Sequence, residues 1–350
     1  MEAPTTLEPT QRLAPEAFAE RAGAIEREVG RVIVGQRDLV RQTLTGLLAN
    51  SHVLLEGVPG LGKTMLVRTI ADVIDCTFNR IQFTPDLMPA DITGTNILVE
   101  EGGQRVFTFQ AGPIFANLVL ADEINRATPK TQSSLLECME ERQATIDGVT
   151  YPMPAPFLVI ATQNPIEYEG TFALPEAQLD RFMLRIRLGY PQPIEEVVIL
   201  DEQKRSHPLE ELEVVCSVDE LRGMQDAIRD VYVDSTVSDY IVRLVNGTRS
   251  HPDVYLGASP RGSIALYRAG QALAGLHGRD YVIPDDIKAL AEPALAHRLI
   301  IKTSASIHDV QAANIVRELL ESTPIDGIRP TGGPGGPRSV RAAQPDAATA

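Results

Sequence analysis

The stretch that decides the fold is Gly57-Val58-Pro59-Gly60-Leu61-Gly62-Lys63-Thr64, which fits the pattern G-x-x-x-x-G-K-[ST]. It follows an apolar run at 52–56, which predicts a buried strand, and it opens a helix predicted over 64–75. The glycines let the backbone curl so that its N–H groups face a phosphate chain at the positive end of that helix. Lys63 can then reach the β- and γ-phosphates, and Thr64 can place its hydroxyl on Mg²⁺.

Two adjacent carboxylates follow another apolar run, in Leu118-Val-Leu-Ala-Asp122-Glu123. A buried strand there would deliver both acids to its carboxyl end, where ligands bind in open α/β sheets. Asp122 would hold Mg²⁺, mostly through water, and Glu123 would orient and polarise the attacking water. Alone, the pair would indicate the solvated acidic end of a strand. The phosphate loop upstream favours the catalytic interpretation.

Strand and helix patterns alternate up to about residue 191. Strands are predicted over 52–56, 78–83, 117–121 and 157–161, and helices over 15–30, 37–50, 64–75 and 129–141. This alternation predicts a doubly wound parallel α/β sheet.

After Pro191-Gln192-Pro193 the strand signals stop. Helices are predicted over 194–204, 218–231, 235–246, 260–276, 284–299 and 308–321. We therefore divide the chain into a loose leader at 1–14, an α/β domain at 15–191, a smaller all-helical domain at 192–322 and a tail at 323–350. The tail is rich in Pro, Gly, Ala and Arg, a composition that predicts disorder.

Composition excludes several classes of protein. A hydrophobic content of 43% excludes wholesale disorder. A net charge of −15 argues against a general nucleic-acid or anionic-membrane binder, because phosphates are neutralised by Lys and Arg. Three scattered cysteines without a CxxC pair argue against a disulfide framework or a zinc ribbon. No membrane-span pattern or signal-peptide pattern occurs, so cytoplasm is the expected compartment.

Three further polar residues are candidates for the site. Asn164 follows the predicted strand at 157–161 and could bind the γ-phosphate or the attacking water, although a turn-forming Asn before Pro165 is the better interpretation from the residues alone. Arg181 precedes the domain boundary, and Arg261 begins a helix of the second domain. A lone arginine usually forms a structural salt bridge, but an arginine can also relieve the negative charge that phosphoryl transfer builds on the γ-phosphoryl group.

Together these motifs resemble those of the AAA+ ATPases, and more narrowly the MoxR family, over about residues 15 to 322. The resemblance implies that 57–64 is the Walker A loop, that Asp122 and Glu123 form Walker B, and that Asn164 is sensor 1. It also implies that Val34, Gly35 and Gln36 pack by the adenine. Arg181 would be the finger for the nucleotide of a neighbouring subunit in a ring, typically a hexamer. Arg261 would be sensor 2, reaching the γ-phosphate in its own subunit.

Two β-hairpins are predicted within the α/β domain. The first covers 95–109 with a turn at 101–104, and the second covers about 144–152 with a turn near Asp147-Gly148. The first lies where the helix-2-insert subgroup of the AAA+ proteins carries its insert. Such hairpins point into the ring pore and could move a client. A surface hairpin without a role is an equally open interpretation.

The resemblance implies hydrolysis of ATP with Mg²⁺ that drives remodelling or maturation of a protein client. A partner with a von Willebrand factor A domain is expected, and nucleic acid is not. The alternatives are a nucleic-acid-associated motor or transcription activator on the same ATPase core, and the ATPase subunit of a metal-chelatase-type complex. A non-hydrolysing scaffold is disfavoured because it would have no need of Glu123.

Overall fold

Strands and helices alternate through the N-terminal half of the computed structural model, which describes residues 15–101, 104–164, 171–202 and 208–325. The strands are β1 Val53–Glu56, β2 Phe78–Gln82, β3 Gly94–Glu101, β4 Gln104–Ala111, β5 Leu118–Asp122, β6 Gln143–Ile146, β7 Val149–Pro152, β8 Leu158–Gln163, β9 Leu184–Arg187, β10 Val254–Leu256 and β11 Ile300–Ile301. The helices are α1 Pro15–Val32, α2 Arg37–Leu48, α3 Lys63–Val73, α4 Pro89–Thr93, α5 Pro129–Glu141, α6 Glu176–Leu179, α7 Pro193–Glu202, α8 Val218–Ile228, α9 Ser235–Ser250, α10 Pro260–Leu276, α11 Pro284–Leu295, α12 Thr303–Ser306 and α13 Ala312–Ser322. The predicted leader at 1–14 and the tail from 326 onward lie outside the described residues.

The main sheet is parallel, and within the described residues its strand order is β2-β5-β8-β1-β9. This arrangement confirms the predicted α/β class, and the four predicted strands are β1, β2, β5 and β8. The sequence reasoning missed β9. Its Leu-Arg-Ile-Arg pattern alternates with period two, and its arginines lie beside Glu56, with Arg185 Nε 3.6 Å and Arg187 Nε 3.4 Å from Glu56 Oε2.

The sheet is covered on both faces because its strand residues alternate between two apolar clusters. Val53 and Leu55 of β1 belong to one cluster, together with residues of α1, α2, α3 and the lid. Leu54 belongs to the other cluster, with Leu135 and Leu136 of α5. The doubly wound arrangement leaves the strand ends as the places where polar side chains can gather.

The C-terminal half is a predominantly helical lid. The all-helical prediction misses one feature, since β10 and β11 form a short antiparallel pair in which Val254 lies opposite Ile301. These strands are too short to carry a periodic signal in the sequence. The predicted helix over 308–321 begins later, at Ala312, and the shorter α12 precedes it.

Helix α1 ties the lid to the sheet. Its buried Phe18, Ala22, Ile25 and Val29 belong to the cluster that also contains α3 and lid helix α10. A Cβ at Gly275 of α10 would lie 2.9 Å from the Phe18 ring, so the close approach of α1 to α10 depends on that glycine. The boundary predicted near 192 therefore crosses a continuous apolar core. No described helix is long and apolar enough to cross a membrane.

Both predicted hairpins are present and touch each other. β3 pairs with β4, with Glu101 opposite Gln104, and β6 pairs with β7 around a turn in which Asp147 and Gly148 have positive φ. The turn residues 102–103 of the first hairpin lie outside the described residues. Asn96 Nδ2 donates to Asp147 Oδ2 at 2.7 Å, and the rings of Phe109 and Tyr151 stack with centroids 4.0 Å apart. The two hairpins therefore form one unit.

A buried histidine stands at the amino end of β1. His52 Nδ1 accepts a hydrogen bond from the Val159 N–H at 2.9 Å, so Nε2 carries the proton and donates to the Met139 carbonyl at 3.0 Å. Burial lowers the pKa of His52 to about 4 from its ordinary 6.5. The neutral ring thereby joins β1, β8 and the end of α5.

Acidification should destabilise the protein through His52. The unfolded chain takes up a proton below about pH 6.5 and the folded chain only near pH 4, so this stabilisation is complete above pH 6.5 and is lost as the pH falls through that range. At pH 5 the loss is about 2 kcal/mol of unfolding free energy. Urea unfolding of wild type and His52→Gln at pH 7 and pH 5 measures it. The variant should lose about 2 kcal/mol less than wild type on acidification, and equal losses would contradict the assignment.

Candidate functional site: a nucleotide site at one sheet edge and an arginine pair at the other

The phosphate loop lies between β1 and α3, as predicted. Gly60 and Gly62 adopt positive φ angles of 87° and 77°, a region that glycine enters without strain. The buried Lys63 donates from Nζ to the Gly57 carbonyl at 2.7 Å, so its ammonium lies over the loop. Helix α3 starts at Lys63, and its first N–H groups therefore face the loop. The curled backbone of the loop, the start of α3 and the Lys63 ammonium together form an anion-binding site.

The two predicted carboxylates lie beside this loop. Asp122 ends β5, and its Oδ2 lies 3.5 Å from Thr64 Oγ1. Thr162 on the neighbouring β8 donates to Asp122 Oδ1 at 2.6 Å and accepts from the Glu123 N–H at 2.9 Å. One hydroxyl therefore orients both acids. Glu123 itself has a φ of 56°, which turns the chain sharply after the strand.

Strand β2 supplies two polar residues that the sequence reasoning missed. Arg80 donates from Nε and Nη2 to Asp122 Oδ2 at 3.0 and 2.8 Å. Gln82 donates from Nε2 to Glu123 Oε2 at 2.9 Å, and Arg126 donates to the same oxygen at 2.9 Å. The signal was available, because Arg80 and Gln82 are polar residues with period two on a strand adjacent to β5.

The residues present fit a nucleotide and a divalent cation. The Asp122 carboxylate and the Thr64 hydroxyl offer hard oxygen ligands beside the anion-binding site, which suits Mg²⁺. At the connection between α1 and α2, Val34 and Gly35 line a cavity of about 580 Å³ whose other wall includes Val198 of α7. The buried Gln36 Oε1 beside them has no hydrogen-bond partner among the described residues. That oxygen could accept from an amino group such as that of adenine.

Asn164 lies at the same edge of the sheet. It follows β8, is buried, and its backbone carbonyl accepts from Asn125 Nδ2 at 3.4 Å. Residues 165–170 lie outside the described residues, and with them Pro165 and the turn that the sequence suggested. Asn164 thus lies two residues after Thr162, whose hydroxyl binds Asp122 and the Glu123 N–H.

Arg181 and Arg261 lie at the opposite edge. Both bind Glu140 on the last turn of α5, with Arg181 Nη2 2.8 Å from Oε2 and Arg261 Nη2 2.6 Å from Oε1. They border a hollow of about 250 Å³ together with His52, which precedes β1. The phosphate loop follows the other end of β1, and the four residues of that strand span about 13 Å.

In this structure Arg261 does not lie at the phosphate loop of its own chain, and its expected contact with the nucleotide of its own subunit stays a prediction. Lid helix α10 brings Arg261 to the amino end of the strands, whereas the phosphate loop is at the carboxyl end. The physical reason is the docking of the lid, because its buried Arg298 is anchored to Asp180 next to Arg181 by a bond of 2.7 Å. The role of Arg181 as the finger for the nucleotide of a neighbouring subunit likewise stays a prediction.

Two family models match different parts of the chain. Residues 52–184 match the family described as "ATPase family associated with various cellular activities (AAA)", and residues 246–319 match the AAA lid domain. The uncharacterized protein YeaC of Bacillus subtilis is 51% identical over 303 residues, which cover 87% of this chain and 94% of that protein. Chaperone MoxR1 of Mycobacterium tuberculosis is 44% identical over 89% of this chain and 85% of that protein. The chain belongs to the MoxR family of AAA+ ATPases.

A solved structure supports the same assignment for this MoxR-family chain. A protein of Cytophaga hutchinsonii, provisionally described as an ATPase, superposes with a TM-score of 0.83 at 38% identity and covers 89% of this chain and 96% of that one. The MoxR-family chain is thus an ATPase, and it binds a nucleotide.

Loss of the Thr162 hydroxyl should impair turnover. Thr162→Val keeps the shape of the side chain but leaves Asp122 and the Glu123 N–H without their shared partner, so kcat for ATP should fall about ten- to a hundredfold. Thr162→Ser keeps the hydroxyl and is the matched control, expected within about threefold of wild type. Steady-state ATP hydrolysis measures both, and equal activity of the Val and Ser variants would show that the hydroxyl does not position the two acids.

Proposed function

We propose that this ATPase assembles into a ring, hydrolyses ATP with Mg²⁺ and uses the cycle to remodel or mature a protein client in the cytoplasm. The observation that carries the proposal is the separation of the two halves of the site. The phosphate loop and both acids lie at one edge of the sheet, and Arg181 and Arg261 lie at the other. Each edge then needs a second copy of the chain to complete it.

Each residue of the first edge has a role that follows from its chemistry. Lys63 and the loop amides would bind the phosphates, and Thr64 and Asp122 would hold Mg²⁺. The cation would supply charge neutralisation for the phosphate oxygens. Glu123 would orient and polarise the attacking water, and Asn164 would hydrogen-bond that water or the γ-phosphate.

The base has its own part of the site. Val34, Gly35 and Gln36 would bind adenine at the connection between α1 and α2, where Val34 and Gly35 line the cavity and the buried Gln36 Oε1 has no partner among the described residues. The segment after β9 supports this arrangement, because Leu188 touches the phosphate loop at Gly57 and Glu195 approaches Gly35. A nucleotide held there would lie under α7, so the state of the nucleotide would bias the position of the lid.

The second edge would act on the neighbouring subunit. Arg181 and Arg261 would reach the γ-phosphoryl group of ATP bound next door and offset the charge that develops there. This arrangement makes hydrolysis depend on assembly, and a hexamer is the expected ring. Arg261 thereby keeps a catalytic role, with the nucleotide of the neighbour in place of its own.

The hairpin unit is our candidate for contact with the client. It exposes an apolar cross-strand pair, Leu98 and Phe107, and the Phe107 side chain is 73% exposed. Its place between β2 and β5 is consistent with the helix-2 insert expected from the sequence. A partner with a von Willebrand factor A domain would recruit the client, as the family resemblance implies, and the name of the related chaperone MoxR1 agrees with a client.

Mixed variants test the shared site. Glu123→Gln should bind ATP without turnover, and Arg181→Ala or Arg261→Ala should lose at least about a hundredfold in kcat because the arginine of the neighbour is missing. A mixture of Glu123→Gln and Arg181→Ala subunits should regain activity, because some interfaces then join an intact Glu123 to an intact Arg181. Specific activity should also rise with protein concentration as light scattering detects assembly, and removal of Mg²⁺ by EDTA should abolish it.

The exposed Arg229 of the lid is the matched control, and Arg229→Ala should keep wild-type turnover. Mixtures that stay inactive, although both variants bind ATP and co-assemble, would mean that the two residues serve the same subunit. Activity that is independent of concentration in a stable monomer would overturn the ring.

Phe107→Ser tests the hairpin. Basal ATP turnover should be unchanged, while stimulation by an unfolded polypeptide such as reduced, carboxymethylated α-lactalbumin should fall severalfold, because the exposed ring would no longer bind apolar segments. Ile307→Ser, which removes an equally exposed apolar side chain from the lid, is the control. Equal stimulation of both variants would mean that the hairpin does not contact the client.

A further inference from the structure

We propose that Glu140 is a positioning residue that holds Arg181 and Arg261 together as one paired cation for the ATP of the neighbouring subunit. The assignment rests on the proposed function, in which both arginines serve that neighbour. It goes further by assigning a role to Glu140, the acid that both arginines bind. It also gives the lid and the α/β domain a shared contact at the reacting phosphate.

The geometry divides one carboxylate between two guanidinium groups. Glu140 Oε2 lies 2.8 Å from Arg181 Nη2, and Glu140 Oε1 lies 2.6 Å from Arg261 Nη2. Arg181 follows α6 of the α/β domain, and Arg261 stands in the first turn of lid helix α10. A further hydrogen bond from Arg181 Nη1 to the Leu136 carbonyl fixes that arginine on α5. The two arginines are therefore brought side by side from different domains by a single acid.

The position of Glu140 in its helix indicates that the acid serves these contacts. It lies in the last turn of α5, where the partial negative charge of the helix end disfavours a carboxylate. The turn itself holds no basic residue, and the side chain of Arg142 at the C-cap donates to Asn50. The ion pairs with Arg181 and Arg261 offset the cost of a carboxylate at this helix end.

A second ion pair in the same junction already provides the structural anchor. Arg298 has a side chain only 3% exposed and binds Asp180 at 2.7 Å, and Asp180 also accepts from Ser259 at 3.2 Å. In contrast, the side chains of Arg261 and Arg181 are 50% and 27% exposed. The lid is thus fastened by the buried pair, while the pair held by Glu140 faces outward and is accessible to another subunit.

Electrostatics explains why two such arginines need an acid. Two guanidinium groups within reach of one carboxylate repel each other, and without it their flexible side chains would spread apart. Held in place, they meet the developing charge of the γ-phosphoryl group without reorganisation, which is the condition for effective transition-state stabilisation. Their remaining N–H donors can bind phosphate while the acid keeps one nitrogen of each, since a guanidinium has five donors.

The test compares Glu140→Gln with Glu141→Gln in the full chain. Glu141 is exposed on the same helical turn, so the two variants remove the same charge from the same place. Glu140→Gln should lower kcat about tenfold, with KM for ATP, ATP affinity and ring assembly unchanged, because ATP binds at the other sheet edge. Glu141→Gln should match wild type. Melting temperatures of both variants check that the fold is intact.

A double-mutant cycle separates positioning from a merely structural effect. If Glu140 acts through the arginine pair, Glu140→Gln should lower kcat much less in an Arg261→Ala background than in wild type. Additive effects would overturn the proposal. A wild-type kcat for Glu140→Gln would also overturn the proposal. A raised kcat would overturn it too, because it would mean that the carboxylate restrains the arginines.

The two proposals fail in distinguishable ways. If Arg181→Ala and Arg261→Ala keep wild-type kcat, the two arginines do not act on the ATP of the neighbouring subunit. The positioning role of Glu140 is then refuted as well. If those variants are inactive while Glu140→Gln behaves like Glu141→Gln, only the positioning role is refuted.

Discussion

The direction of strand β1 is the constraint on which the rest of the site depends. The phosphate loop must leave its carboxyl end, because only there does a following helix point its N–H groups back at a bound phosphate. His52 and the arginine junction then fall at its amino end, about 13 Å away across the four residues of the strand. In this packing Arg181 and Arg261 lie at the amino end of the strands, away from the loop of their own chain.

Parallel pairing places the acidic residues where the loop can use them. Because β8 runs beside β1, and β5 beside β8, all in the same direction, Asp122 and Thr162 lie at the same edge as Thr64. The Thr162 hydroxyl then couples Asp122 to the Glu123 backbone, and β2 adds Arg80 and Gln82 from the outer side. Strand order therefore brings the acids to the phosphate loop, and the polar contacts then orient their side chains.

The lid owes its position to packing. Apolar side chains of α1 join α3 to lid helix α10, and the buried Arg298 and His297 bind the backbone carbonyl of Phe182 before β9. This docking sets where Arg261 stands, and it links the lid to the same chain segment that carries Arg181.

Local sequence determined the phosphate loop, four of the five sheet strands, both hairpins and the pairing of Asp122 with Glu123, because each has a short-range signal in glycine spacing or hydrophobic period. It did not reveal β9, the β10–β11 pair, Arg80, Gln82, Thr162 or Glu140. A period-two pattern marks β9, Arg80 and Gln82, but their partners are distant in sequence, and no local pattern names a distant partner. It also assigned Arg261 to the nucleotide of its own subunit. Only the tertiary structure decided where Arg261 lies, because the edge of the sheet that a lid residue reaches is set by how two domains pack and not by the residues beside it in the chain.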